Sequence, residues 1–208
     1  MAKGGRAVAA EKSPPGDRRR QILDAAIRVF ARQGFHRCRV SDIADEAGVA
    51  YGLVYHYFNS KDQVLNELFS ERWSLMLDAI DEVDRQSMPA REKLDAVAGF
   101  IIDSYRHNPE LMKVIIVEVT RAANSFGRTH LPEITRAYDG IARIVAGGQE
   151  RGEFRPDLDP DFASMWFYGA IEQLLSGWVF DLIAHTDADF TGARRMVVET
   201  ICGGLEPR

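Results

Sequence analysis

The side chains best suited to chemistry fall in one short stretch. Tyr51, Tyr55, His56 and Tyr57 crowd together, Lys61 follows them, and Arg39 and Ser41 precede them. Aromatic rings with polar tips, beside a cation and the free N–H groups of a following helix start, suit contacts to a polyanion. Hydroxyl and imidazole groups supply directional hydrogen bonds, the ammonium supplies charge, and the helix start accepts a phosphate. Core packing alone would favour plain aliphatics; Val54 and Phe58 fit that role, and Tyr57 suits either. Arg18, Arg19 and Arg20 stand at the start of a helical pattern, where the helix dipole disfavours cations. A phosphate partner accounts for them; a solubilising basic tail is the alternative.

Other chemistries find no matching pattern. His36, His56, His107, His130 and His185 show no His-Glu-x-x-His spacing, and there is neither a Gly-x-Ser-x-Gly elbow nor a Gly-rich phosphate loop. Cys38 and Cys202 are far apart and lack a Cys-x-x-Cys partner, so neither a disulfide nor a metal site is expected. The expectation is a protein without cofactor, metal or catalytic residues. An enzyme using a helical cavity is the rival, and for it Asp103, Glu118 and Glu172 are the carboxylates to check.

With 208 residues, 46% apolar and 27% charged, the chain is long enough for one or two packed domains. No apolar run reaches the roughly 18–20 residues of a membrane span, and no apolar stretch follows the basic N-terminus as in a secretory signal, so a cytoplasmic location is expected. The net charge of −5 conceals an asymmetry. Residues 1–61 hold 11 Lys/Arg against 6 Asp/Glu, a balance of +5, which leaves −10 for the remainder. A basic front on an acidic body points to a polyanion partner for the front alone.

Residues 1–16 read as a flexible arm. From Asp17 to Gln33, Ile22, Ala25, Ala26, Val29 and Phe30 recur at helical spacing, with Gly34 as a stop. A second short helix runs Val40–Ala47, closed by Gly48, and a third spans Tyr51 to Phe58; this is a helix-turn-helix pattern. Ser60 and Gln63 predict a capping box that opens a long helix at residue 61, ending before Pro89. Further helices are expected at 90–106, 110–122, 130–151, 160–183 and 189–204, with a boundary at Ser125-Phe126-Gly127. No segment alternates with period two, so the fold class is all-α: a helix-turn-helix domain over 17–66 and a larger helical domain over 67–208.

Gly34-Phe35, Val40-x-x-Ile43-Ala44-x-x-Ala47-Gly48-Val49 and Gly52-Leu53-Val54-Tyr55-His56-Tyr57-Phe58-x-Ser60-Lys61-x-x-x-Leu65 resemble the DNA-binding domain of the TetR family of bacterial transcriptional regulators. The resemblance implies that Tyr55 and Lys61 contact phosphates, while Tyr51, Gly52, Leu53 and His56 lie where the recognition helix meets DNA. This chain departs from the family pattern at Cys38-Arg39 and at Ala50, where many members carry hydroxyls; Arg39 then touches phosphate directly, or the helix start is weaker. The expected DNA-binding set is Arg18, Arg39, Ser41, Ala50, Tyr51, Gly52, Leu53, Tyr55, His56, Tyr57 and Lys61.

Large apolar and aromatic side chains in the second part are most simply core, yet a helical domain this rich in them commonly holds a small-molecule cavity. The expected ligand-contacting residues are Phe100, Tyr105, Met112, Arg121, Phe126, Tyr138, Trp166, Gln173 and Trp178. The last two helices carry broad apolar stripes of mixed size, and pairing with their copies in a second chain would form a four-helix bundle. Phe162, Met165, Gly169, Ala193, Val197 and Ile201 are expected at that homodimer interface, which the family resemblance also implies. Gly34–Ser41 and Gly169–Val179 resemble FadR-type repressors within the family, implying an acyl-CoA effector, with Arg106, His107, Arg121 and Arg128 as candidates for its phosphates. The function expected is a homodimeric, ligand-released repressor of a palindromic operator; a small-molecule carrier or sensor whose helix-turn-helix is only structural is the other rival.

Overall fold

The computed structural model describes residues 15–120 and 125–207, with side chains over 17–117 and 129–207. Of the arm expected at 1–16, residues 1–14 lie outside the described residues, whereas Pro15 and Gly16 begin the first helix. All regular elements described are helices: α1 Pro15–Gln33, α2 Val40–Ala47, α3 Tyr51–Tyr57, α4 Lys61–Arg85, α5 Ala90–His107, α6 Pro109–Thr120, α7 Ser125–Glu150, α8 Pro160–Val179 and α9 Asp187–Leu205. Two compact units divide between Val64 and Leu65, inside α4.

In the first unit, one face of α1 is closed to solvent, with Ile22, Leu23, Ala25, Ala26 and Val29 fully buried. The helix stops at Gly34, whose φ of 80° is a left-handed conformation that a side chain disfavours. Gly48 ends α2 in the same way, at φ 62°, and its N–H bonds back to the last turn. The side chain of Gln21 donates to the Ala47 carbonyl at 2.6 Å, satisfying another end group of α2. Glu46 accepts from Arg28 at 2.7 Å and from Arg32 at 3.0 Å, which pins α2 on α1. Those hydrogen bonds, Arg28 first, hold the Glu46 carboxyl below its ordinary range.

In the second unit α5 packs against α6, α7, α8 and α9. Its core is built on Leu94, Ile101, Ile141, Phe154, Phe167, Ile171 and Trp178. A Cβ at Gly148 would meet Ala90 and Phe154 at 2.7 Å, so glycine is required for this approach. Asp159 caps α8 by accepting from the N–H groups of Asp161 and Phe162, with Pro160 in the first turn. Thr186 and Asp189 exchange hydrogen bonds at the start of α9.

Two expected boundaries are corrected. Helix α8 ends at Val179 rather than at 183: Asp181 takes φ 54°, and the Trp178 indole reaches the Ala184 carbonyl at 3.0 Å, folding the segment back. Helix α7 begins at Ser125 rather than 130 and continues through Pro132, whose missing N–H removes one backbone bond without ending the helix.

Candidate nucleic-acid interface and interior cavity

Helix α3 has two faces. Val54, and Phe58 just after it, point inward at 1% and 2% exposure, whereas Tyr51 and Tyr55 are 53% and 43% exposed. Their spacing of four residues puts both rings on one side, with the hydroxyls 3.2 Å apart. Gly52 and His56 share the open surface, and a Cβ on Gly52 would meet nothing within 4 Å. Leu53 and Tyr57 are half-buried. Ala50 precedes the helix without a side-chain cap, as its missing hydroxyl implies. Exposed hydroxyls, an imidazole and helix-start donors on one short helix form a surface for groove edges and phosphates.

Arg39 is exposed at the start of α2. Having no acceptor it cannot cap; the stabilising bond runs instead from its backbone N–H to Asp42 Oδ2 at 2.8 Å, leaving the guanidinium for other work. Ser41 is half-buried nearby. Arg18 is half-buried and donates to Gln21 Oε1 at 2.9 Å, which engages it within α1.

Lys61 is placed differently from the expectation of a plain phosphate ligand. Its Nζ donates to the carbonyls of Phe35 at 2.8 Å, Cys38 at 3.1 Å and His36 at 3.3 Å, and lies 4.6 Å from the centre of the Phe35 ring. Three carbonyls around one ammonium satisfy its three donors. Lys61 thus fastens the loop between α1 and α2 to the start of α4. The capping box expected there forms in altered shape: Ser60 Oγ accepts from Gln63 N–H, but Gln63 Oε1 reaches the Asn59 N–H rather than that of Ser60.

The second unit encloses a small cavity of about 30 Å³, room for little more than a water molecule. Its walls are mainly apolar, among them Met76, Ile101, Met112, Ile115 and Leu175, but four polar groups intrude: Arg72, Trp73, Tyr168 and Glu172. Arg72 is 7% exposed. Its guanidinium lies 4.9 Å from the Phe100 ring and its Nε 3.5 Å from Met112 Sδ, with no carboxylate in ion-pair range among the described residues. Burial brings its pKa down to about 10, so it remains charged at neutral pH. Trp73 Nε1 is buried without a hydrogen-bond partner. Burial pushes the Tyr168 phenol upward, with Glu172 adding to the effect and Arg72 opposing it; burial likewise raises the Glu172 carboxyl.

The expected ligand-contacting residues scatter. Met112 lines this cavity and Phe100 lies behind Arg72. Tyr138 packs edge-on against Tyr168, ring centres 5.4 Å apart. Tyr105 and Trp178 form an aromatic core cluster with Phe190. Trp166, 71% exposed, and Gln173 lie on the outward face of α8, because they are seven residues apart and share the side opposite Phe167, Ile171 and Leu175. Arg121 lies outside the described residues, as do the side chains of Phe126, Glu118 and Arg128. Arg106 is exposed and paired with Asp187 at 2.9 Å. Arg72, Trp73 and Tyr168 were not singled out from sequence; the capacity of Trp73 to hydrogen-bond was the available signal, hidden by its place in an apolar stripe.

The outward face of α8 exposes large apolar side chains: Phe162 and Met165 are 66% and 55% exposed beside Trp166, and Met196 of α9 is 65% exposed. A groove of about 560 Å³ runs between the two helices past Phe162, Trp166 and Ile201. Gly169, Ala193 and Ile201 are half-buried, whereas Val197 is 5% exposed and belongs to the core of its own chain. Among the described residues no group of three His, Cys, Asp or Glu side chains is arranged to hold a metal, and no helix is long and apolar enough to cross a membrane.

Comparison with known proteins matches this division of labour. Residues 22–68 fit the model of bacterial regulatory proteins of the tetR family, and residues 91–201 that of the tetracyclin repressor-like C-terminal domain. The fatty acid metabolism regulator protein of Bacillus subtilis is 33% identical over 176 residues, covering 81% of this chain and 89% of that protein. The solved structure of the fatty acid degradation regulator FadR from Bacillus halodurans superposes with a TM-score of 0.82 at 28% identity, covering 95% of this chain and all of that one. FadR from Bacillus subtilis in complex with stearoyl-CoA gives 0.80 at 27% identity, over 90% of this chain and 99% of that one. The two aligned halves, a helix-turn-helix with an open polar face and a helical unit with an apolar interior, place the chain in the TetR family of DNA-binding transcriptional regulators.

Proposed function

We propose that this regulator is a homodimeric repressor released from a palindromic operator by a long-chain acyl-CoA. The observation that carries the effector is the near full-length similarity to the Bacillus subtilis FadR whose structure contains stearoyl-CoA. The exposed apolar faces of α8 and α9 support the dimer: Phe162, Met165, Trp166 and Met196 together are more apolar surface than one small unit leaves to water without a partner. Two copies then present two α3 helices to successive turns of one operator.

The small cavity supplies the means of release. An acyl chain does not fit in about 30 Å³, so binding forces the surrounding helices apart. Helix α4 forms part of that wall through Arg72, Trp73 and Met76, and its first turn carries Lys61, the fastener of the helix-turn-helix loop. A ligand that favours a displaced α4 therefore disfavours the DNA-binding arrangement, with a coupling of about 1–3 kcal/mol.

The test is a titration of the operator complex with stearoyl-CoA, the operator being obtained by sequencing DNA fragments that the protein retains at moderate salt. The expected result is an inverted repeat whose affinity falls about 5- to 150-fold at saturating ligand while the dimer persists in sedimentation. Unchanged DNA affinity at saturation overturns the effector; a monomer on a single half-site overturns the dimer.

A further inference from the structure

We propose that Arg72, Trp73 and Tyr168 form a built receptor for a carbonyl oxygen, so that the effector is recognised inside the second unit by an oxygen acceptor and not by hydrocarbon contact alone. This rests on the effector reading above only in its choice of first probe. The geometry is independent of it. Arg72 is nine-tenths buried, lines the cavity and has no carboxylate within ion-pair range among the described residues. Trp73 Nε1, the adjacent residue's donor, is buried and has no acceptor. Tyr168 lines the same cavity with its ring 6.2 Å from that of Trp73. Three residues that carry donors thus line one space whose other walls are mainly methyl, methylene and thioether groups.

Such an arrangement selects chemically. A methylene placed there leaves the indole N–H without an acceptor and a desolvated guanidinium with only Met112 Sδ on its Nε, which is unfavourable. A carbonyl oxygen satisfies two of them through its two lone pairs, and reproduces the hydrogen bonds of any water it displaces. Glu172 completes the wall, and burial raises its carboxyl above the ordinary range. A free fatty carboxylate would also find Arg72. The chemistry shared by all these ligands is a carbonyl within an apolar body, and it has two possible sources in a CoA ester: the thioester itself or an oxo group on the chain.

Calorimetry with four probes separates them. Stearoyl-CoA is compared with S-octadecyl-CoA, the thioether that keeps chain, sulfur and nucleotide but lacks the carbonyl. Stearoyl-CoA is also compared with 12-oxo-octadecanoyl-CoA, and 12-oxo-octadecanoic acid serves as the probe without CoA. If the thioester is read, the wild-type protein binds the thioether at least tenfold more weakly, and Trp73→Phe and Arg72→Met bring the ratio toward one. If a chain carbonyl is read, the oxo compound binds at least tenfold more tightly than stearoyl-CoA, and the same variants abolish that gain. Trp73→Phe keeps the ring and removes only the N–H, so it reads the hydrogen bond even if Arg72→Met changes the packing. In the unliganded protein Arg72→Met is expected to raise Tm, since it removes a buried unpaired cation; a structural role for Arg72 predicts a fall. Failure of every CoA ester to bind defeats the effector reading alone if the oxo acid still binds in a manner dependent on Trp73. Equal binding of carbonyl and non-carbonyl probes in the wild type, equal losses for all probes in the variants, or no binding of any of the four overturns the receptor.

Discussion

In the first unit, the polar side chains without a packing duty stand outside: Tyr51, Tyr55, His56 and Arg39 face solvent over a core of aliphatics and Phe58. In the second, Arg72 and Trp73 are buried while Phe162, Met165 and Trp166 stand outside on α8. The inversion follows from the size and shape of the partner. A duplex is larger than the unit that reads it and is met by a convex surface, whereas a small ligand must be surrounded. One chain therefore pays desolvation in one half only, and its two halves respond oppositely to the same kind of substitution.

The largest effects should come from the cores and should stay with the unit that is altered. Phe58→Ala and Trp178→Ala each remove a ring that is 2% exposed and are expected to cost about 3–5 kcal/mol. Hydrogen exchange followed by mass spectrometry should localise the loss to residues 17–64 in the first case and to α5, α8 and α9 in the second. Spread of either loss across both halves would break the contrast.

Next comes Lys61→Ala, which removes an ammonium from three carbonyls and is expected to cost about 1.5–3 kcal/mol while weakening binding to all DNA sequences. Denaturant melts distinguish this from loss of a phosphate contact, which would leave stability unchanged and make the salt dependence shallower by about one unit. On the exposed face the order of effects reverses. His56→Ala and Tyr51→Phe should change stability by no more than about 0.5 kcal/mol, yet alter base preference by about 1–3 kcal/mol at the contacted positions, as read by binding to a library of operator variants.

Ala50→Ser adds the hydroxyl that the start of α3 lacks and should stabilise the first unit by about 1 kcal/mol, measurable as a raised midpoint in urea. The smallest effect sharpens the interior side of the comparison. Burial raises the Glu172 carboxyl above its ordinary value of about 4.5, so the folded chain keeps a proton that the unfolded chain gives up. Stability from this group is thus full at low pH and is lost as pH rises through the raised value. Glu172→Gln should melt higher than the parent at neutral pH, with the gap narrowing as pH falls through the raised value and closed below about 4.5; a gap independent of pH would mean that Glu172 is solvated.

Much of this was legible from local pattern. The aliphatic spacing of α1 and the glycine stops at 34 and 48 act through neighbours in sequence, and the structure keeps them. The far end of α8 was not, because Phe180-Asp181-Leu182-Ile183 continues an apolar pattern while a left-handed Asp181 ends the helix. The open face of α3 was legible because exposed aromatics with polar tips on a short helix are unusual in packing terms. The cavity was not: an arginine on a helix reads as solvated, and whether Arg72 turns inward depends on α5, α6 and α8, all remote in sequence. For the same reason Trp166 and Gln173 could be named as large or polar, but not assigned to the inner or outer side of α8.

The three indoles of the chain fall in three different surroundings: Trp73 at the cavity wall, Trp166 in solvent and Trp178 in the core. The protein therefore carries its own optical labels. With the other two replaced by phenylalanine, Trp166 emission should shift to the blue when two chains meet, Trp73 emission should respond to ligand, and Trp178 emission should change only on unfolding, so that assembly, loading and melting can each be followed by colour without attaching a dye.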